Sequence, residues 1–182
     1  MEITKINTNF SCNYLVKKGD KRILIDCSCE MEDLIKLTDK LDAIVITHGH
    51  FDHFFTLEQV QKHYGCKVFM HEKAFEKLTN SRQNASRFFG MIFECKIDKK
   101  NVEFLREGQN DIGGVMCNIY YAFGHTNDSV LIEIDKALFT GDFLFKNSYG
   151  RTDLPTGNFI TMQQNLQKYR PLISSHICYY GH

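Results

Sequence analysis

The segment that most constrains this chain runs from Ala43 to His53. Ala43-Ile44-Val45-Ile46 is continuously apolar and leads directly into Thr47-His48-Gly49-His50-Phe51-Asp52-His53. A short unbroken apolar run reads as a strand buried on both faces. The imidazoles and the carboxylate crowded at its C-terminal end each need a partner, because polar groups beside a buried strand are costly when unpaired. Imidazole and carboxylate are the usual ligands of zinc, and they also suit iron and manganese. A short loop at a strand end can hold such ligands rigidly while leaving coordination positions open.

The surrounding pattern is α/β. Asn13–Lys17 and Arg22–Asp26 flank the polar Lys18-Gly19-Asp20-Lys21 and read as a hairpin. Met31–Leu41 has apolar residues at helical spacing, and Thr56–Tyr64 reads as a helix with Thr56 as its N-cap. A strand is expected at Lys67–Met70 and a helix at Glu72–Leu78. Gly90 and the polar Asn80-Ser81-Arg82-Gln83-Asn84 make the ambiguous 79–100 stretch read as a loop over the site. Strands follow at 102–105, 115–122, 129–134, 137–140 and 177–180, with a helix at Met162–Lys168. Strands with interspersed helices in two similar halves imply an α/β sandwich.

Length and composition exclude several other classes. The 182 residues fit one domain, 1–182, with a sizeable core. Formal net charge is zero, with no basic stripe of the kind a nucleic-acid partner would require. Met1–Phe10 lacks the apolar core of a signal peptide, and no apolar run approaches the roughly 20 residues of a membrane span. The expected location is cytoplasmic, with a small-molecule substrate and neither membrane nor nucleic acid as partner. Seven cysteines without Cys-x-x-Cys spacing read as buried thiols rather than a disulfide framework. Asn84-Ala85-Ser86, a sequon in form, reads as local structure.

Further ligand-type residues stand at other strand ends. His125 lies in Phe123-Gly124-His125-Thr126, Asp142 ends Leu138-Phe139-Thr140-Gly141-Asp142, and His182 follows Ile177-Cys178-Tyr179-Tyr180-Gly181. For His63, His71 and His176 the ordinary reading is a surface or satisfied core residue.

Taken together, His48-x-His50-x-Asp52-His53, Gly124-His125-Thr126, Thr140-Gly141-Asp142 and Gly181-His182 resemble the metallo-β-lactamase superfamily across essentially the whole chain. The resemblance implies an αββα sandwich. It implies that His48, His50 and His125 hold one metal, that Asp52, His53 and His182 hold a second, and that Asp142 bridges them. Two zinc ions per chain are expected, with iron or manganese as alternatives. Asp26 matches an upstream acidic position whose implied role is to accept hydrogen bonds that fix the histidine loop.

Within the superfamily, Gly141–Phe145 followed by Gly150-Arg151-Thr152-Asp153-Leu154-Pro155 is similar to the glyoxalase II-like small hydrolases. That similarity implies a metal-bridging hydroxide attacking a thioester of the hydroxyacylglutathione type, with Asp52 and Asp142 as catalytic groups. Arg151 would bind a substrate carboxylate through its planar fork; alternatively, Arg151 and Asp153 only tie their loop together. Asn127-Asp128 replaces the Pro-Gly common in relatives. A mononuclear-iron persulfide dioxygenase is the principal alternative, followed by a lactone hydrolase and a non-catalytic binding module.

Overall fold

A computed structural model describes residues 1–182. Side-chain alternation along its strands sorts the apolar residues into three cores. The first sheet takes the order β1-β2-β3-β4-β5-β6, with β1 Glu2–Asn7, β2 Cys12–Lys18, β3 Lys21–Ile25, β4 Ala43–Val45, β5 Lys67–Met70 and β6 Val102–Phe104. The second takes the order β11-β10-β9-β8-β7, with β7 Gly108–Ile112, β8 Val115–Tyr121, β9 Val130–Ile134, β10 Ala137–Gly141 and β11 Ile177–Tyr180.

Ile23 and Ile25 of β3, and Ala43 and Val45 of β4, pack between the sheets against Ile119, Ile132 and Phe139. Leu24, Ile44 and Ile46 point the other way, onto Leu34, Leu57, Val60 and Ala74. The last four come from α1 Met31–Leu37, α2 Leu57–Tyr64 and α3 Glu72–Lys77. Leu131 of β9 and Leu138 of β10 face Met162 and Tyr169 of α4 Phe159–Ser174. Neighbouring residues of one strand thus serve opposite cores, as a period of two requires. The result is helices, sheet, sheet, helix: the α/β sandwich anticipated above. Each fully buried aliphatic side chain contributes about 1.5–3 kcal/mol relative to exposure.

Several elements depart from the expectations. β1 and β7 were not foreseen, because both are edge strands made largely of polar residues, such as Gly108-Gln109-Asn110-Asp111. The first helix stops at Leu37, where Thr38 turns extended and its hydroxyl donates to Lys40 O at 2.7 Å. Thr56 does occupy the N-cap of α2 but does not cap it with its side chain; its hydroxyl donates to Cys29 O at 2.9 Å. The last helix is longer than the Met162–Lys168 core suggested by spacing. All seven cysteines are free thiols, six of them buried. Asn84 is fully buried, and its amide donates to Lys77 O and Phe93 O. No helix is long and apolar enough to cross a membrane.

Candidate metal centre

The centre lies where the C-terminal ends of β4, β10 and β11 converge. β4 runs parallel to β3, and the chain leaves it through Ile46 and Thr47 into a loop that closes with a 3₁₀ turn at Phe51–His53. Asp26, at the end of β3, ties this loop down. Its carboxylate accepts from Thr47 N at 2.8 Å and from the Thr47 hydroxyl at 2.9 Å, and lies 2.7 Å from His53 Nδ1. Asp26 itself sits at φ +56, a left-handed conformation uncommon for residues other than glycine and more accessible to Asp than to most.

From the second sheet, β11 pairs parallel with β10 and brings Gly181 beside Gly141, with Gly181 N donating to Gly141 O at 2.9 Å. Gly181 O in turn accepts from Cys12 N of β2 at 2.7 Å, so this strand end touches both sheets. A Cβ on Gly181 would collide with Asp142 Oδ1. The absence of a side chain there is what lets the Asp142 carboxylate reach the histidine loop.

The seven ligand-type side chains come together. His48, His50 and His125 form one group, His48, His53 and Asp142 a second, and Asp52, His53 and His182 a third; within each, the ligating atoms lie within 4.8 Å of one another. His50 Nδ1 and His125 Nε2 are 2.9 Å apart. Asp142 stands between the groups, with Oδ1 3.2 Å from His53 Nε2 and Oδ2 3.4 Å from His182 Nε2 and 3.7 Å from His125 Nε2. The ring orientations are set from outside: His48 Nδ1 lies 3.1 Å from the Thr47 hydroxyl, and His125 Nδ1 2.7 Å from Arg151 O.

Burial dominates the electrostatics. It holds the His48 imidazole well below its usual pKa, lowers His50 to about 3 and lowers His125, so the group is made of neutral rings. Burial also opposes charge on His53, but Asp26, Asp142 and Asp52 together outweigh it and raise that imidazole. Asp142 and Asp52 are likewise held low by their histidines against burial. His182, hydrogen-bonded to Asp142 and Asp52, is raised to about 9.

His48 Nε2, His50 Nε2, His53 Nε2 and Asp142 Oδ1 are buried with no hydrogen-bond partner. Orphaned buried polar atoms are rare and costly. The neutral imidazoles of His48 and His50 beside the Asp142 carboxylate are a donor set that divalent cations take, and a bound cation would displace the proton that the carboxylates draw onto His53, so these residues fit such ions.

A buried ion pair that pattern did not reveal also supports the loop. Asp128 Oδ2 accepts from Gly49 N at 2.7 Å, while its other oxygen pairs with Lys77 of α3. Lys77 Nζ reaches the Thr156 hydroxyl at 2.9 Å. Both side chains are sealed from solvent, and burial lowers the lysine's pKa against the pull of Asp128. The sequence signal was present in the Asn127-Asp128 departure, but its lysine partner lies 51 residues away. His71, which caps α3 by accepting from Lys73 N, and His63 and His176 all lie outside the ligand groups.

A cleft of about 630 Å³ opens over Asp52, Asp142 and His182 and reaches His50 and His125, walled by residues of the 79–100 and 144–160 segments. Arg151 lies on its rim, and its Nε and a terminal nitrogen both donate to Asp153 at 2.7 Å.

The family model of the metallo-beta-lactamase superfamily matches residues 9–172. Hydroxyacylglutathione hydrolase GloC of Haemophilus influenzae is 30% identical over 182 residues, covering 94% of this chain and 84% of its own. An uncharacterized protein of Mycobacterium bovis is 34% identical over 129 residues, a match covering 64% of this chain but only 57% of that relative. Among solved structures, BLEG-1 B3 metallo-beta-lactamase superposes with a TM-score of 0.89 at 27% identity, covering 100% of this chain and 91% of that one. TTHA1623 in a di-iron-bound form does so with a TM-score of 0.85 at 25% identity, covering 100% and 92%. Two stacked sheets, ligand-bearing loops at their strand ends and a family match over most of its length agree: the chain belongs to the metallo-β-lactamase superfamily.

Proposed function

We propose that this chain is a binuclear metal-dependent hydrolase acting on a thioester of the hydroxyacylglutathione type. The observation that carries the reading is Asp142, one carboxylate placed between His48, His50 and His125 on one side and Asp52, His53 and His182 on the other. In this reading the first three histidines hold one cation, Asp52, His53 and His182 hold another, and Asp142 is shared. Two zinc ions are the preferred occupants; the di-iron form of TTHA1623 keeps iron open as an alternative. Such cations activate water at neutral pH and stabilise the oxyanion that forms at an attacked carbonyl.

The chain's own groups do the rest. Asp142 offsets part of the repulsion between two cations. Asp52, whose carboxylate opens to the cleft, accepts a hydrogen bond from the attacking water and so orients it. A thiol leaving group with a pKa of about 8.5 departs as thiolate without a strong general acid, so the site needs no further proton donor. Arg151 meets a carboxylate on the thiol half by exchanging its contact with Asp153, which is exposed and easily given up. Similarity to GloC supports the thioester class.

Elemental analysis of the purified protein, paired with hydrolysis of S-lactoylglutathione, tests the proposal. About two metals per chain together with turnover is the expected result. A single iron with oxygen uptake on a persulfide would replace it with the dioxygenase. A metal-free chain that stays inactive after zinc, iron or manganese is restored would make it a binding module.

A further inference from the structure

Two segments line the cleft with unlike residues. Phe10 packs edge-on against Phe51 with centroids 6.1 Å apart, Phe51 meets Phe89 at 5.7 Å, and Met91 also lines the apolar side. The 144–160 segment brings Arg151, the one permanent cation lining the cleft and already paired with Asp153, together with Phe145, Tyr149 and Leu154.

The apolar side is held in place from several directions. Phe51 N donates to Asn84 O at 3.0 Å, joining the histidine loop to the segment that carries Phe89. Ser86 accepts from Phe93 N and donates to Ser81 O, and Met91 N donates to Ser86 O at 3.1 Å. Ala85 is held at φ +66, a conformation unusual for alanine. A segment fixed this firmly still leaves Phe89 59% and Met91 36% exposed. Neighbouring Phe88 and Ile92 are exposed as well. Grouped exposed apolar side chains at the mouth of a cleft mark a binding surface, whereas isolated ones do not.

We infer that the acyl half of the substrate is an extended apolar chain lying along Phe10, Phe51, Phe89 and Met91, rather than a short hydroxyacyl group. This inference rests on the glutathione-thioester part of the proposed function and replaces its hydroxyacyl group with an alkyl one. An alkyl chain would cover surface that is otherwise wet, strengthening binding about fourfold per methylene while it remains on the wall.

The test uses the purified metal-loaded protein and glutathione thioesters from acetyl through butyryl and hexanoyl to octanoyl, with lactoyl as the polar comparator. Calorimetric binding of the matching S-alkylglutathione thioethers, which cannot be hydrolysed, is measured beside turnover. The expected result is kcat/KM rising with chain length, hexanoyl exceeding lactoyl at least about tenfold, and thioether Kd falling in step. Phe89→Ala flattens both slopes, while Phe159→Ala, an exposed apolar residue outside the cleft lining, leaves them unchanged. Hydrolysis that is indifferent to chain length, with a flat thioether series, overturns the inference while the thioester reading stands. Graded thioether binding that Phe89→Ala abolishes, with no thioester cleaved, sustains the apolar wall and removes the thioester reading.

Discussion

Two groups of ligand-type side chains meet at Asp142, and they are built differently. His48, His50 and His125 are each at most 3% exposed. Their loops are pinned by Thr47, by the carbonyl of Arg151 and by the buried Lys77–Asp128 pair. Asp52 and His182 open to the cleft, and only His53 between them is sealed, through Asp26. The inner group is a rigid socket of neutral rings. The outer group sets His182 3.3 Å from Asp52 and 3.4 Å from Asp142, at the edge where a substrate arrives. Pre-organisation is concentrated where water is excluded, and adjustability where reactants enter and leave.

The strongest way to break this contrast is at the buried pair. Asp128→Ala leaves Lys77 as an uncompensated buried cation and frees Gly49 N. Unfolding free energy should fall by about 3–5 kcal/mol in chemical denaturation. Lys77→Met with Asp128→Leu should recover much of that, since the charge is gone; a double variant as unstable as the single one would mean that the Gly49 contact, not the charge, matters.

Next in size is the socket itself. His50→Ala should lower kcat/KM by about 10²–10³-fold, with circular dichroism showing the fold intact. His182→Ala should lower it less and leave about one metal per chain by elemental analysis. Equal losses at the two positions would show that the groups do not differ as described.

Asp26→Asn keeps the shape but weakens what holds His53 and Thr47, and should cost roughly 10–100-fold in metal affinity, read by competition with a chelating dye. The smallest effect belongs to the rim. Asp153→Ala frees Arg151 from an exposed pair and should leave the thermal midpoint where it was. If Arg151 meets a substrate carboxylate, the same variant lowers KM for glutathione thioesters and leaves it unchanged for neutral ones.

Much of this was legible before the structure. The short apolar runs of β3, β4 and β9, and the entry of β4 into Thr47, carried the strands and the histidine loop, because a strand buried on both faces leaves a distinct composition. β1 and β7 were hidden because an edge strand needs few apolar residues, and their pairing comes from neighbours distant in sequence. The ligand-type residues could be named because each closes a strand in a recognisable motif. Lys77 could not, since a lysine on a helix ordinarily faces water and its burial depends on Asp128 arriving from the distant loop between β8 and β9.

The residue types of the centre, and the strand ends that carry them, were determined by the sequence alone: metal-ligand chemistry resides in side chains, and strand periodicity in local order. Only the tertiary structure decided which rings are sealed and which stay wet, that Lys77 is buried against Asp128, and that Phe89 and Met91 wall the cleft. Burial and long-range approach arise when segments far apart along the chain pack together, and local sequence patterns do not encode them.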